Sequence, residues 1–444
     1  MYYFYKFVLM DILTVKIFTR TLSSRLDYIA EFILSDLLGV PFEITSDKRK
    51  LGKSPVINYS NEEVKGTFKI IPSGLLCETG VRPLDLTVTW WNGLPVFFQS
   101  DDQSDFPFDI FSAAFFIITR YEEYLEFEPD NHGRFPASKS LAFRSGFLNK
   151  PVINLWVKEL SKLLILKFPN VAFKRNIFRA ITTFDVDEPF KYLGKDMIRN
   201  IGGFLRDMGK KDMDAAERYR IVLKKQKDPW DIFDYIFSMT IEKGNQIIVF
   251  FPVGDRTDYD RWPSYQNDDY RKLITRIAEK TKTGLHPSYY SCDNTEKLNL
   301  EKERLHQITN SEIIAARYHF IRLKFPDSYS NLVDAGFSED YSMGFPDEPG
   351  FRAGTSTPFF FYDLSSERKT NLVVFPFQIM DATLIQYKKF QPEESMSVIK
   401  NIIDETKNAG GLFHSSWHNK TLAEGKKASE WKKVFENTLN YQNQ

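Results

Sequence analysis

Two changes of texture along the chain predict an α/β protein: an α+β N-terminal domain followed by a domain with a parallel sheet and crossover helices. Near residue 40 a helical spacing of apolar residues (Leu22, Leu26, Ile29, Ile33, Leu37) gives way to short β-prone runs split by Gly, Pro and Asn. Near residue 179 strands and helices begin to alternate, the pattern of a parallel sheet that is either open or closed as a distorted barrel. Aromatic residues make up 15% of the chain, enough to fill cores in both parts.

Residues 1–18, MYYFYKFVLMDILTVKIF, predict a first core helix, or a helix plus a strand. They do not read as a leader, because no basic region precedes the aromatic run and no small-residue cleavage site follows. VPFEITSD, PVINYS, GTFKIIPS, LTVTWW and LPVFFQS predict short strands, then 106–125 and 154–168 predict helices, completing an N-terminal domain over 1–172. In the second domain, 173–444, strands are expected at RAITTFDVD, QIIVFFPV, TGLH, AARYHF, NLVVFP and GGLFH. Helices are expected at 230–242, 268–280, 301–313, 391–408 and 427–438. A charged insert near 204–229 reads as a solvated helical excursion, with a lid or a surface for an anionic partner as the alternative.

Lys+Arg and Asp+Glu both number 59, so the formal charge is zero, which argues against a nucleic-acid partner. Cys77 and Cys292 are the only cysteines, too few for a disulfide framework or a four-cysteine zinc cluster. No stretch reaches the roughly 18–20 uninterrupted apolar residues of a spanning helix. These features predict a cytoplasmic protein without a membrane span. Nothing in the sequence fixes an oligomeric state.

Four of the six histidines, His286, His319, His414 and His418, fall at or just beyond expected strands of the second domain, where parallel-sheet proteins collect their sites. His306 lies in a polar helix and His132 in the first domain. In TTFDVD, Asp185 and Asp187 share a side if the strand continues, and two close carboxylates call for a cation or for one acid to cap the following turn. His286 follows a short strand and is fixed by Pro287. In AARYHF, strand parity puts Arg317 and His319 on one face, with Arg317 either aligning a carboxylate or making a structural salt bridge. Asp187, His286 and His319 would together form the one-carboxylate, two-histidine set of hydrolytic metal sites. His414 is read as a proton donor to a leaving group. His418 could be a metal ligand if its segment were helical, and Trp417 could stack on a sugar or fill core. Arg352, between Gly350 and Gly354 and near Thr355 and Ser356, marks tight backbone geometry or a loop under a ligand, and the segment lacks the ending of a phosphate-binding P-loop.

These segments, in this order, resemble the polysaccharide deacetylase family of metal-dependent carbohydrate esterases over about residues 178–418. The resemblance implies an irregular (β/α) barrel and N-acetyl removal from an amino sugar or polysaccharide. It also implies a divalent metal, zinc in the first instance, with cobalt, nickel or iron as alternatives. TTFDVD resembles the first motif and gives Asp185 as base and Asp187 as ligand. GLHPSYYS resembles the second through His286, ARYHF the third through Arg317, FSEDYS the orienting acid through Asp340, and LFH the last through Leu412 and His414. The second motif departs from the family, because Tyr290 stands where its second histidine is expected; His319 is the candidate replacement from the neighbouring strand. The string RYEEYLEFEPDNHGRF, with Glu122, Glu123, Asp130, His132 and Arg134, is similar to one preceding the deacetylase-like domain in a divergent bacterial branch. It predicts a helix end, a turn and salt bridges between the domains. The loss at Tyr290 keeps open a non-catalytic carbohydrate-binding or scaffold role, and an ester or peptide bond remains an alternative target.

Overall fold

A computed structural model describes residues 13–194, 214–224, 226–423 and 426–444. The expectations for residues 1–12 and for the 204–213 part of the charged insert lie outside these. The sequence's Val15–Phe18 is a strand (β1), with Phe42–Thr45 (β2), Val56–Asn58 (β3) and Phe68–Lys69 (β4) beside it. They form a parallel sheet in the order β2-β1-β3-β4. Thr89–Trp91 (β5) and Leu94–Val96 (β6) form a separate antiparallel pair.

Ser24–Ala30 (α1) starts at Ser23, whose side chain accepts from the Leu26 N–H and so satisfies an otherwise orphaned donor. Ile110–Ile118 (α2) is capped in the same way by Asp109, and every residue of it is buried. Val152–Lys167 (α3) closes this part. The expected helix over 106–125 is thus shorter: Arg120 turns left-handed and the chain leaves the axis there.

Nine strands make the second sheet: Arg179–Asp185 (β7), Gln246–Phe251 (β8), Lys282–Leu285 (β9), Ala315–Ala316 (β10), Glu339–Asp340 (β11), Phe359–Asp363 (β12), Arg368–Val374 (β13), Ile379–Met380 (β14) and Leu412–His418 (β15). Their order is β12-β13-β11-β10-β9-β8-β7-β15-β14, parallel throughout except for the β12–β13 hairpin. The edge strands β12 and β14 do not pair with each other, so among the described residues the sheet is open rather than a closed barrel. The central strands β7 and β8 are buried on both faces, as crossover helices require.

Between the strands run Asp214–Lys224 (α4), Phe233–Met239 (α5), Asp268–Ala278 (α6), Thr295–Thr309 (α7), Asp327–Asp334 (α8) and Pro392–Ala409 (α9), and Lys426–Gln442 (α10) follows the last of them. The helix expected at 301–313 starts six residues earlier, because Asn294 accepts from the Lys297 N–H and caps it there.

One contiguous apolar core runs from Val15 to Leu439 and includes residues of both parts. Polar ties also cross between them. Arg352 and Arg120 both donate to the buried Glu123 carboxylate, and Asn154 bonds Thr355 and Thr357. The Gly350–Gly354 segment therefore serves this junction: a Cβ on Gly354 would stand 2.5 Å from Ile117. The expectation of salt bridges near Glu122 and Glu123 is met by the Arg352–Glu123 pair.

Candidate metal centre and active site

The carboxyl ends of β7, β9, β10 and β15 surround a cavity of about 150 Å³ lined by Asp185, Asp187, His286, His319 and His418, among others. Asp187 sits two residues beyond β7. One donor atom each from Asp187, His286 and His319 lies within 4.8 Å of the others. His286 Nε2 is 3.1 Å from Asp187 Oδ1, and His319 Nε2 is 3.6 Å from Oδ2. His418 Nε2 is 3.5 Å from Oδ2 but outside that tighter group.

Each imidazole is oriented through its other nitrogen. His286 Nδ1 lies 2.6 Å from the Arg317 carbonyl, His319 Nδ1 2.9 Å from Asp260 Oδ1, and His418 Nδ1 2.6 Å from Asp381 Oδ1. All three partners are acceptors, so each Nδ1 carries the proton and each Nε2 is turned to Asp187. This is how ligating histidines are held in metal sites.

The donor set passes a fit test for a divalent cation. In neutral His286, Nε2 presents a lone pair toward Asp187 Oδ1, and that buried oxygen has no hydrogen-bond donor. Two lone pairs facing at 3.1 Å repel unless a proton or a metal ion stands between them. A mixed imidazole and carboxylate set suits zinc and its neighbours in the first transition row.

Protonation answers the same charge in the metal-free protein. Burial opposes a charged His319, but Asp187 and Asp260 outweigh it and push its pKa up to about 9. Burial likewise opposes charge on His418, yet Asp381 and Asp187 hold its pKa well above the usual imidazole value. Asp187 is pressed upward by burial, and the facing imidazoles, His319 above all, carry it well below the carboxylate range.

Asp185 closes the cavity floor and is 2% exposed. Arg317 Nη1 lies 3.2 Å from its Oδ1, and Ser416 Oγ donates to Oδ2 at 3.3 Å. The remaining donors of Arg317 reach Thr183 Oγ1, the Tyr341 carbonyl and His414 Nε2 at 2.6, 2.8 and 2.8 Å. Arg317 has no free rotation in this network, so it fixes the carboxylate that it pairs with.

Two sequence expectations, His414 and Asp340, change here. His414 is fully buried and does not line the cavity. Burial and the adjacent Arg317 hold its pKa well below the ordinary value. Its Nε2 accepts from Arg317 and its Nδ1 faces the Pro376 carbonyl, so it has no proton to give toward the cavity. Asp340 accepts from Tyr329 and from the Ser342 N–H, while Arg317 donates to the neighbouring carbonyl instead; burial pushes the Asp340 pKa up to about 6. Strand β10 ends at Ala316, but the Arg317 and His319 N–H groups still donate to the Leu285 and Pro287 carbonyls, so the two side chains share a face as expected; His319 then opens a turn in which Phe320 and Ile321 have φ of +59° and +52°. Trp417 is buried against Phe435 and fills core. Tyr290 is 43% exposed and outside the cavity.

Sequence reasoning passed over Asp260 and Asp381, which orient the His319 and His418 rings. Asp381 carried a readable signal, an acid directly after the β-prone run FQIM. Asp260 lies in a loop without a motif.

A family model described as "Family of unknown function (DUF7033)" matches residues 15–169. No curated protein matches the chain. Among solved structures, similarity is found to a protein provisionally assigned as a polysaccharide deacetylase from Mycobacterium smegmatis, with 12% identity over 60% of this chain and 85% of that one, TM-score 0.39. A polysaccharide deacetylase from Bacillus cereus is 10% identical over 61% of this chain and 89% of that one, TM-score 0.31. A CE4 family pseudoenzyme from Bacillus anthracis is 9% identical over 60% and 63% respectively, TM-score 0.26. With TM-scores this low, the site's own geometry has to carry the chemistry. Among the described residues no helix is long and apolar enough to cross a membrane.

Proposed function

We propose that the chain is a metal-dependent hydrolase that removes an N-acetyl group from an amino sugar or polysaccharide, using its second part, residues 173–444, as the catalytic domain. The observation that supports this most directly is the convergence of Asp187, His286 and His319 beside an Arg317-held Asp185. Asp187, His286 and His319 would hold a divalent cation, zinc in the first instance. When bound, such an ion polarises a carbonyl and lowers the pKa of water from about 15.7 toward neutrality.

The protein's own residues supply the rest. Asp185, paired with Arg317, accepts the proton of the attacking water. His418 faces the same cavity with its Nδ1 committed to the buried Asp381, so its Nε2 proton is available to the departing amine. Asp260 and the Arg317 carbonyl keep the His319 and His286 rings aimed. His418 thus takes the donor role first expected of His414, and His414 instead accepts from Arg317.

The test is to load the purified protein with zinc and measure acetate release from an N-acetylglucosamine oligomer. Asp187→Ala and His286→Ala are expected to abolish tight zinc binding and acetate release together. Unchanged zinc content in both variants would overturn the site. Stoichiometric zinc without acetate release from N-acetylated sugars, O-acetyl esters or acetylated peptides would favour glycan binding without hydrolysis.

A further inference from the structure

The segment Asp130–Arg134 belongs to the part of the chain matched by the family of unknown function, yet it reaches the metal cavity. Arg134 lines that cavity while only 3% exposed. Its Nε donates to Asp130 Oδ2 at 2.8 Å, its Nη1 to the Phe320 carbonyl at 2.5 Å, and its Nη2 to Tyr387 Oη at 3.0 Å. A guanidinium committed on all three nitrogens to the protein is poorly placed to recognise substrate. It is well placed to hold a turn.

The turn it holds carries His319. Phe320 and Ile321 both have φ in the left-handed region, which is uncommon for any residue but glycine and an outlier for a β-branched one. Strain of this kind persists only where surrounding groups over-determine it. Three of those groups are visible. Arg134 fixes the Phe320 carbonyl. From the far side of the turn Arg322 Nε donates back to the His132 carbonyl at 3.1 Å. The His132 ring packs on the Phe320 ring with centroids 4.8 Å apart. A further link runs from His132 Nδ1 to Tyr289 Oη at 3.2 Å, while the Tyr289 N–H donates to Asp260, the carboxylate that orients His319.

We infer that Arg134, with His132, is a positioning residue of the metal centre: the N-terminal part clamps the His319–Ile321 turn and so places His319 Nε2 against the ion. This rests on the metal-centre reading proposed above. It gives residues 1–172 a role in the chemistry of the second part, and it explains how a ligand delivered from a turn can stand in for the one absent at Tyr290.

The test uses the full chain, zinc alone as probe and a chromophoric chelator as competitor, with cobalt substitution to report ligand geometry by visible absorption. Arg134→Gln is expected to weaken zinc by about 10-fold or more, the usual effect of removing a group that orients a ligand, and to change the cobalt spectrum. Arg134→Lys, which keeps a cation beside Asp130 but loses the second arm, is expected to fall between. Wild-type zinc affinity and an unaltered cobalt spectrum in Arg134→Gln would overturn the inference. If that variant does not fold, Arg134→Lys and His132→Ala decide by the same criterion: weakened zinc supports the clamp, and wild-type affinity in both overturns it. Asp187→Ala, run alongside, separates the two failures. If it too binds zinc normally, the metal centre itself is wrong; if it alone loses zinc, only the clamp is wrong.

Discussion

Lowering the pH from 9 to 6.5 should weaken metal binding steeply, and His319 sets the size of the effect. A metal ion needs the neutral Nε2, whereas in the metal-free protein Asp187 and Asp260 keep His319 protonated up to a pKa of about 9. Below that value each bound ion must displace one proton from His319, so affinity falls about tenfold per pH unit. Across the window down to the ordinary imidazole value of 6.5 this amounts to about 300-fold. The assay is zinc competition against a chelator of known pH dependence, with proton release followed by calorimetry in buffers of different ionisation enthalpy. His319→Asn should bind more weakly overall and release about one proton fewer. A wild-type affinity independent of pH, or identical slopes in wild type and His319→Asn, would refute the proposed contest between proton and metal.

The same shift makes a stability statement for the metal-free protein. Because the folded-state pKa of His319 is raised, its contribution is complete below about 6.5 and is lost as pH climbs through about 9. At about 1.4 kcal/mol per tenfold the loss is about 3 kcal/mol, measurable by urea denaturation at both ends of that window. His418→Gln should lower turnover by about 10²–10⁴-fold with zinc content unchanged; loss of zinc would make it a ligand. His414→Gln should retain zinc and reduce turnover less than His418→Gln does, and the opposite ranking in a steady-state assay would restore His414 as the donor. Gly410→Ala should destabilise by about 1–3 kcal/mol, because φ is +70° there and the new Cβ would lie 2.4 Å from the Asn176 carbonyl; an unchanged denaturation midpoint would contradict this.

The alternation of the second half was legible because its strands are short apolar runs set off by polar and turn residues: β7 and β8 lie within the expected runs, and β9, β13 and β15 overlap theirs. The stretch AARYHF shows where such reading stops. Its composition suits a strand to the end, but after His319 the chain bends into a left-handed turn held by Arg134 and His132, nearly two hundred positions earlier. No local pattern encodes that contact. The two histidines of β15 show a related limit. His414 and His418 both lie on β15 with even spacing, so parity alone could not separate them. What separates them is depth: His414 lies under Arg317, whereas His418 reaches the cavity rim at the strand's end. Asp381 and Asp260, which turn the imidazoles, come from segments that acquire meaning only once the sheet is assembled.

Strand β15 lies against β7 along all seven of its residues, although Ser416 and its partner Asp185 are 231 positions apart. At a synthesis rate of roughly 5–20 residues per second, about 10–50 s separate the emergence of the strand carrying Asp185 from that of its neighbour. By the end of that interval a nascent chain would display Asp187 and His286 without the Ser416 contact to Asp185 or the His418–Asp381 pair. Completion of the cavity is therefore deferred until Leu412–His418 has been made, and a ribosome stalled before that point would carry an unfinished sheet with β7 still exposed as an edge.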